Sequence, residues 1–246
     1  MRCRTFVLVH GAWHGGWCWS AVAQRLCMAG HRVFAPSLTG LSDRAHLFAA
    51  SVSLGTHVED IVNLVACERI EDCILVGHSY GGNVITGVAD RLRERVAQYV
   101  YLDAVAPPDE AVSWCWADFS SPAERAERIH AIETQGNGLC LPPPAPAVFG
   151  IVDPEMAADV AARLTPMPRG TFEGRIALLA GGSRGLPRTY IAAAAPAYPR
   201  MASVIERVRQ DPGWRFGEIA CGHDAMLLAP RDLADRLLAI AAEAGA

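Results

Sequence analysis

A serine becomes a strong nucleophile only beside a base, and the sequence offers both partners. Gly77-His78-Ser79-Tyr80-Gly81-Gly82 follows the apolar run Cys73-Ile74-Leu75-Val76 and leads into an amphipathic stretch. A G-x-S-x-G segment between a strand and a helix reads as a nucleophile elbow. Its turn is so sharp that Ser79 is strained and its hydroxyl projects from the sheet edge. Gly77 and Gly81 lack side chains because strand and helix backbones approach closely there. The competing reading is a glycine-rich turn in some other doubly wound protein. A serine hydroxyl still needs a base within hydrogen-bond reach. Of the eight histidines, only His223 lies after the last expected strand and before the terminal helix, where the base falls in the chain order serine, acid, histidine.

Val9-His10-Gly11-Ala12-Trp13-His14-Gly15-Gly16-Trp17 follows the first expected strand. A glycine-rich turn at that end can aim N–H groups into the same site, so the amides of Ala12 and Tyr80 are the expected oxyanion hole. One such donor contributes roughly 3–4 kcal/mol in the transition state. His10 and His14 read as structural rings bonded to loop carbonyls. Trp13, Trp17 and Trp19 read as packing residues, with Trp13 also a candidate to face the pocket.

Composition narrows the chemistry. The chain has 246 residues, 51% of them hydrophobic and 20% charged, enough for one α/β domain with a large core. All 22 basic residues are arginine. Without lysine there is no Schiff-base or pyridoxal-phosphate mechanism and no Walker-A loop. A formal net charge of -4 gives no sign of a nucleic-acid surface or an anionic membrane partner. The eight cysteines form no C-x-x-C pair and read as buried thiols rather than disulfides or zinc ligands. No secretory or membrane-spanning segment is visible, so a cytoplasmic location is expected.

Positioning these groups requires a sheet. Short β-branched runs alternate with amphipathic segments, the pattern of a mainly parallel sheet with helices on both faces. Expected strands are Thr5–Val9, Arg32–Ala35, Cys73–Val76, Tyr99–Leu102, Arg188–Ala192 and Arg215–Ile219. Expected helices are Trp17–Ala29, Leu54–Arg69, Gly82–Arg93, Met201–Gln210 and Pro230–Ala242. From about Pro107 to Leu186 the rhythm breaks, with two prolines, aromatic residues, a proline run at 142–146, and helical patterns near Pro122–Thr134 and Pro154–Leu164. That length is too great for a plain loop. The expected organisation is therefore a core of residues 1–106 and 187–246, with a small cap at 107–186 inserted after the strand that ends at Asp103.

These motifs together resemble the α/β-hydrolase superfamily. They are closest to its small cap-bearing esterases, which include plant methylesterases, plant hydroxynitrile lyases and bacterial carboxylesterases. The resemblance is carried by Phe6 to Trp17 with Trp19, Ala35-Pro36-Ser37-Leu38-Thr39-Gly40, Leu75 to Gly82, and Gly222-His223-Asp224-Ala225-Met226. It implies Ser79 as nucleophile, His223 as base and a carboxylate that orients the histidine. That acid usually follows the penultimate strand. Here Tyr190-Ile191-Ala192-Ala193-Ala194-Ala195-Pro196 holds none, and neither Asp nor Glu occurs from Arg175 through Ile205. Asp103 is the expected substitute, because it ends the strand beside the nucleophile strand, about 4.8 Å away. Some members of the superfamily place their acid there. Asp224 is expected to point away from the His223 ring, and Glu206 and Asp211 to lie beyond a helix.

The expected activity is cleavage of a small carboxylic ester through an acyl-enzyme. Trp13, Trp114, Trp116, Phe119 and Met226, with Phe149 and Phe172, are candidates to line an apolar substrate pocket. No metal or cofactor is required. The expected partner is the ester itself, with no nucleic acid and no membrane; a homodimer stays open. Two other readings exist: a hydroxynitrile-lyase type of C–C lyase and a non-catalytic small-ligand receptor. The lyases carry threonine in the first turn and lysine after the base, where this chain has Gly11 and Asp224.

Overall fold

In the computed structural model, which describes residues 3–244, six strands form one sheet in which every neighbouring pair is parallel. They are β1 (Thr5–Val9), β2 (Arg32–Phe34), β3 (Cys73–His78), β4 (Val96–Leu102), β5 (Arg188–Ala193) and β6 (Arg215–Ile219), in the order β6-β5-β4-β3-β1-β2. β3 and β4 are buried nearly throughout, as a parallel strand covered on both faces must be.

Side-chain alternation sorts the strands' residues between two cores. On one face Val7, Val9, Leu75 and Tyr99 pack under α2 (Leu54–Cys67) and α3 (Gly81–Arg91). On the other, Phe6, Leu8, Ile74 and Val76 pack under α1 (Ser20–Met28) and the C-terminal helix Pro230–Glu243. Local signals fix the ends of several helices. Ser53 and Thr56 form a reciprocal capping box at the start of α2.

Between β4 and β5 the chain builds α4 (Pro122–Gln135), α5 (Pro154–Arg163), a short helix at Arg169–Glu173 and two small antiparallel ladders. Proline at the first turn, with Ser121 or Asp153 as cap, starts α4 and α5. The ladders pair Ser113–Trp114 with Ile176–Ala177 and Cys140–Leu141 with Met167–Pro168. This segment is stitched to the sheet at several points. Trp13 Nε1 donates to the Leu141 carbonyl and the Thr165 N–H donates to the Trp13 carbonyl. Trp114 Nε1 donates to Asn83 Oδ1 on α3, and Arg188 grips both oxygens of Asp109.

After the segment come α6 (Ala202–Gln210) and α7, the C-terminal helix Pro230–Glu243. No helix among the described residues is long and apolar enough to cross a membrane.

Candidate active site

Steric necessity shapes the turn after β3. A Cβ on Gly77 would sit 2.7 Å from the Gly81 carbonyl oxygen, and one on Gly81 would sit 2.8 Å from the carbonyl oxygens of Val9 and His10. Nothing larger than glycine fits where β3, α3 and the first loop converge. Ser79 is held at φ 52, a left-handed conformation uncommon for a residue with a Cβ. Its N–H is bonded to the Leu102 carbonyl and its carbonyl accepts from the Val105 N–H, so the surroundings fix the strained turn.

The Ser79 hydroxyl lies 2.9 Å from His223 Nε2, and His223 Nδ1 lies 2.6 Å from Asp103 Oδ2. The three residues follow β3, β6 and β4, so all emerge from the carboxyl edge of the sheet. Asp103 is fully buried and is itself at φ 39. Its N–H donates to the Ile191 carbonyl, and its Oδ1 accepts from the Ala193 N–H. The end of β5, which carries no acid of its own, supplies a backbone donor that seats the carboxylate of the neighbouring strand.

The first loop is fixed by two histidines. His10 Nε2 accepts from the Leu38 N–H at 3.0 Å, so the ring proton is on Nδ1, which donates to the Gly11 carbonyl at 2.8 Å. That carbonyl shares a rigid peptide plane with the Ala12 N–H, so the ring sets the direction of the Ala12 amide. Burial pushes His10 down to about 3 and keeps it neutral. His14 Nδ1 donates to the Ala12 carbonyl at 2.8 Å, and its Nε2 lies 3.1 Å from Asp224 Oδ2. Among the described residues, no protein acceptor engages the N–H of Ala12 or of Tyr80. The Tyr80 ring is anchored on the far side by a 3.0 Å bond to His57 Nδ1, whose Nε2 donates to the Thr39 carbonyl.

Asp224 does not contact the His223 ring through a hydrogen bond. It turns into the protein, fully buried, toward His14 and with His78 Nε2 3.7 Å from its other oxygen. Burial works against charge on both His14 and Asp224. Their mutual attraction outweighs it, raising His14 and lowering Asp224 from their usual ranges. His78 is driven well down by burial and by the neighbouring His223, and its Nε2 donates to the His223 carbonyl. His78, His223 and Asp224 come near enough to suggest a metal-ligand set. Both ring nitrogens of His223 are engaged by Asp103 and Ser79, so only two free donors remain, too few for a protein-held ion.

The aromatic residues separate into two groups. Trp13, Trp116, Phe149 and Phe172 form a connected cluster, and Trp116 meets the Tyr80 ring edge-on at 5.1 Å. Phe149 stacks toward His223 at 6.2 Å. Trp114 is tied to Asn83, and Phe119 is half-buried against the core. Met226 is fully buried in the core on the opposite sheet face with Leu8 and Trp19. Of the other acids, Asp211 lies 3.6 Å from Arg188 and Glu206 is exposed on α6. Two contributors are absent from the residue-type argument. Tyr198 packs on the His223 ring at 4.3 Å, and Arg128 lies buried over the Trp116 ring at 4.6 Å. Tyr198 sits in the loop after β5, at the strand end where sites of open α/β sheets form, and that position is the signal for it.

One cavity borders His223 and a second adjoins it. The first, about 210 Å³, is lined by Phe149, Tyr198 and His223. The second, about 300 Å³, shares Val148 and Tyr198 with it and is also lined by Trp13, Leu141, Glu127, Arg128 and Arg200. A larger open cleft of about 650 Å³, near Trp17 and Arg163, contains none of Ser79, His223 and Asp103.

The model of the alpha/beta hydrolase family matches residues 6–236. The chain is 39% identical over 240 residues to a carbendazim hydrolyzing esterase of Nocardioides sp. (strain SG-4G), covering 96% of this chain and 98% of that one. It is 29% identical over 169 residues to methylesterase 3 of Arabidopsis thaliana, covering 68% of this chain and 62% of the relative. An extracellular alpha/beta-hydrolase from Paenibacillus species superimposes with a TM-score of 0.81 at 23% identity, over 96% of this chain and 98% of that chain. The chain belongs to the alpha/beta hydrolase family, among its small cap-bearing esterases.

Proposed function

We propose that the protein is a serine hydrolase that cleaves a small carboxylic ester through an acyl-enzyme, with Ser79 as nucleophile, His223 as base and Asp103 as the orienting acid. The observation that carries this reading is the unbroken chain from the Ser79 hydroxyl to His223 at 2.9 Å and from His223 to a buried carboxylate at 2.6 Å. His223 Nε2 takes the Ser79 proton as Oγ attacks the ester carbonyl. The oxyanion is received by the N–H groups of Ala12 and Tyr80, the first aimed by His10 and the second at the start of α3, whose dipole favours negative charge. His223 then protonates the leaving alcohol. Water then attacks the acyl carbonyl while His223 takes its proton; the bond from the acyl carbon to Ser79 Oγ breaks, His223 returns the proton to Oγ, and the acid leaves.

The apolar cluster of Trp13, Trp116, Phe149 and Phe172 supports a small ester with an aromatic or aliphatic part. The relatives, an esterase that hydrolyses carbendazim and a methylesterase, support the same class. The lyase alternative is disfavoured by Asp224, which is buried against His14 where the lyases carry a lysine. Eight unpaired cysteine thiols support a reducing, cytoplasmic setting. The test is turnover of p-nitrophenyl acetate by the purified protein and by Ser79→Ala. Turnover that vanishes with Ser79→Ala is expected. Turnover that survives the substitution, or none by the wild type, overturns the reading.

A further inference from the structure

The 300 Å³ cavity lined by Tyr198 and Trp13 holds two arginines, Arg128 and Arg200, and one carboxylate, Glu127, which pairs with Arg200 and leaves Arg128 without a direct ion pair among the described residues. Arg128, on α4, is 8% exposed. Its guanidinium lies over the faces of Trp116 at 4.6 Å and Phe172 at 5.4 Å, and Nη1 donates to Ser120 Oγ at 2.7 Å. Among the described residues, no carboxylate lies within ion-pair distance of it. The acids nearest in sequence, Glu124 and Glu127, are taken by Arg200. Burial pushes Arg128 down to about 10, which leaves it charged at neutral pH. Its remaining N–H donors, on Nε and Nη2, are not sealed inside protein and have no protein acceptor among the described residues; Arg128 lines the cavity. Two N–H donors turned to the cavity, on a guanidinium held flat against two rings, are placed for an anion that can accept two parallel N–H bonds.

The same cavity is bounded by Trp13, next to Ala12, and by Tyr198, which packs on the His223 ring. A ligand in contact with Arg128 therefore borders Trp13, next to the proposed oxyanion loop, and Tyr198, which packs on His223. We propose that Arg128 is a substrate-binding residue and that the preferred substrates are esters carrying a second, ionised carboxylate: half-esters of dicarboxylic acids or esters of comparably acidic acids. The ester carbonyl sits at Ser79 while the free carboxylate pairs with Arg128. Trp116 and Phe172 hold the guanidinium plane, and Ser120 fixes one of its ends. This rests on the reading of the site as a serine esterase.

The experiment compares mono-p-nitrophenyl glutarate with p-nitrophenyl hexanoate, two esters of similar length that differ in the terminal charge. The wild type is expected to favour the glutarate by tenfold or more in kcat/KM, mainly through KM. The preference should weaken with added salt. Arg128→Leu should collapse the ratio of the two kcat/KM values at least tenfold, and Arg128→Lys should restore part of it, because an ammonium keeps the charge and loses the fork. A wild type that favours the hexanoate overturns the proposal without any variant. Equal losses on both esters in Arg128→Leu also overturn it, since they mark a purely structural arginine. Absence of turnover on both esters, or turnover that survives Ser79→Ala, instead counts against the esterase reading itself.

Discussion

Two buried histidine–carboxylate pairs share the carboxyl edge of this sheet: His223 with Asp103 at 2.6 Å and His14 with Asp224 at 3.1 Å. Both rings are nearly inaccessible, and Asp224 directly follows His223 in the chain. The difference lies in the second nitrogen. His14 spends it on the Ala12 carbonyl, so both ends of that ring are committed to holding the first loop against the last. His223 gives its second nitrogen to a serine hydroxyl that can leave as an alkoxide. A histidine pinned at both ends by fixed acceptors is a strut; a base needs one end whose partner can give up a proton. Proximity of a carboxylate to an imidazole therefore does not single out a catalytic pair; the proposed assignment rests on the remaining ring nitrogen.

The sharpest way to break the contrast is Asp103→Asn. Asp103 Oδ1 already accepts from the Ala193 N–H, so the asparagine would keep its carbonyl there and present its NH₂ to His223. The imidazole would then carry its proton on Nε2, facing Ser79, and would be unable to accept one. A fall in kcat on the order of 10⁴ is expected, with the urea midpoint little changed. Near-normal kcat in this variant would mean that another carboxylate orients the base.

The sequence disclosed the two pairs unequally. The elbow at Ser79, the proposed base His223 and the strands β1 and β6 carry local signals: glycines at fixed offsets, and β-branched or alternating runs bounded by turns. Asp103 was reachable through the resemblance, which implies an acid after β5 where none stands, and through the adjacency of its strand to the nucleophile strand. The His14–Asp224 pair was not, because its members are 210 positions apart and follow β1 and β6, four places apart in the sheet, so only the course of the last loop back along the carboxyl edge joins them. β4 starts at Val96, earlier than the apolar run at Tyr99 suggests. Its buried Gln98 is satisfied by Thr189, a partner that periodicity does not reveal. The two-residue ladders between β4 and β5 are too short to carry any period. Met226 reads as a neighbour of the base by position, yet the short helix Ala225–Leu228 turns it into the opposite core.

A smaller effect, of a different kind, is expected from Asp224→Ala. Removing one partner of a buried pair costs about 3–5 kcal/mol, at the lower end here because His14 can shed its proton. Urea unfolding should report that loss. Folded Asp224→Ala should keep kcat within about tenfold of the wild type, because the lost contact is to a loop-holding ring and not to the reacting one. A kcat loss as deep as that of Asp103→Asn, at unchanged stability, would merge the two pairs into one catalytic unit and end the comparison.

The pH dependence of stability separates the pinned histidines from each other. Burial lowers His10 to about 3, His57 to about 4 and His78 well below its usual value. Each is neutral when folded and takes up a proton on unfolding below its unfolded value of about 6.5. Their contribution is therefore full above that pH and is lost as pH falls toward 4, at about 1.4 kcal/mol per pH unit for each such proton. His14 runs the other way. Its folded value is raised, so its contribution is full below about 6.5 and is lost as pH rises through the folded value. Asp224, lowered when folded, contributes above the ordinary carboxylate range and loses that only at strongly acid pH. Wild-type urea midpoints measured from pH 9 to pH 5 should first climb as His14 takes up its proton, then fall as the three neutral rings dominate. In Asp224→Ala the climb should disappear and the fall should remain, because the raised value of His14 comes from Asp224 alone among its charged neighbours. A wild-type midpoint that stays level from pH 7 to pH 5 would mean that the three buried rings accept protons without unfolding, and that His14 is no exception among them.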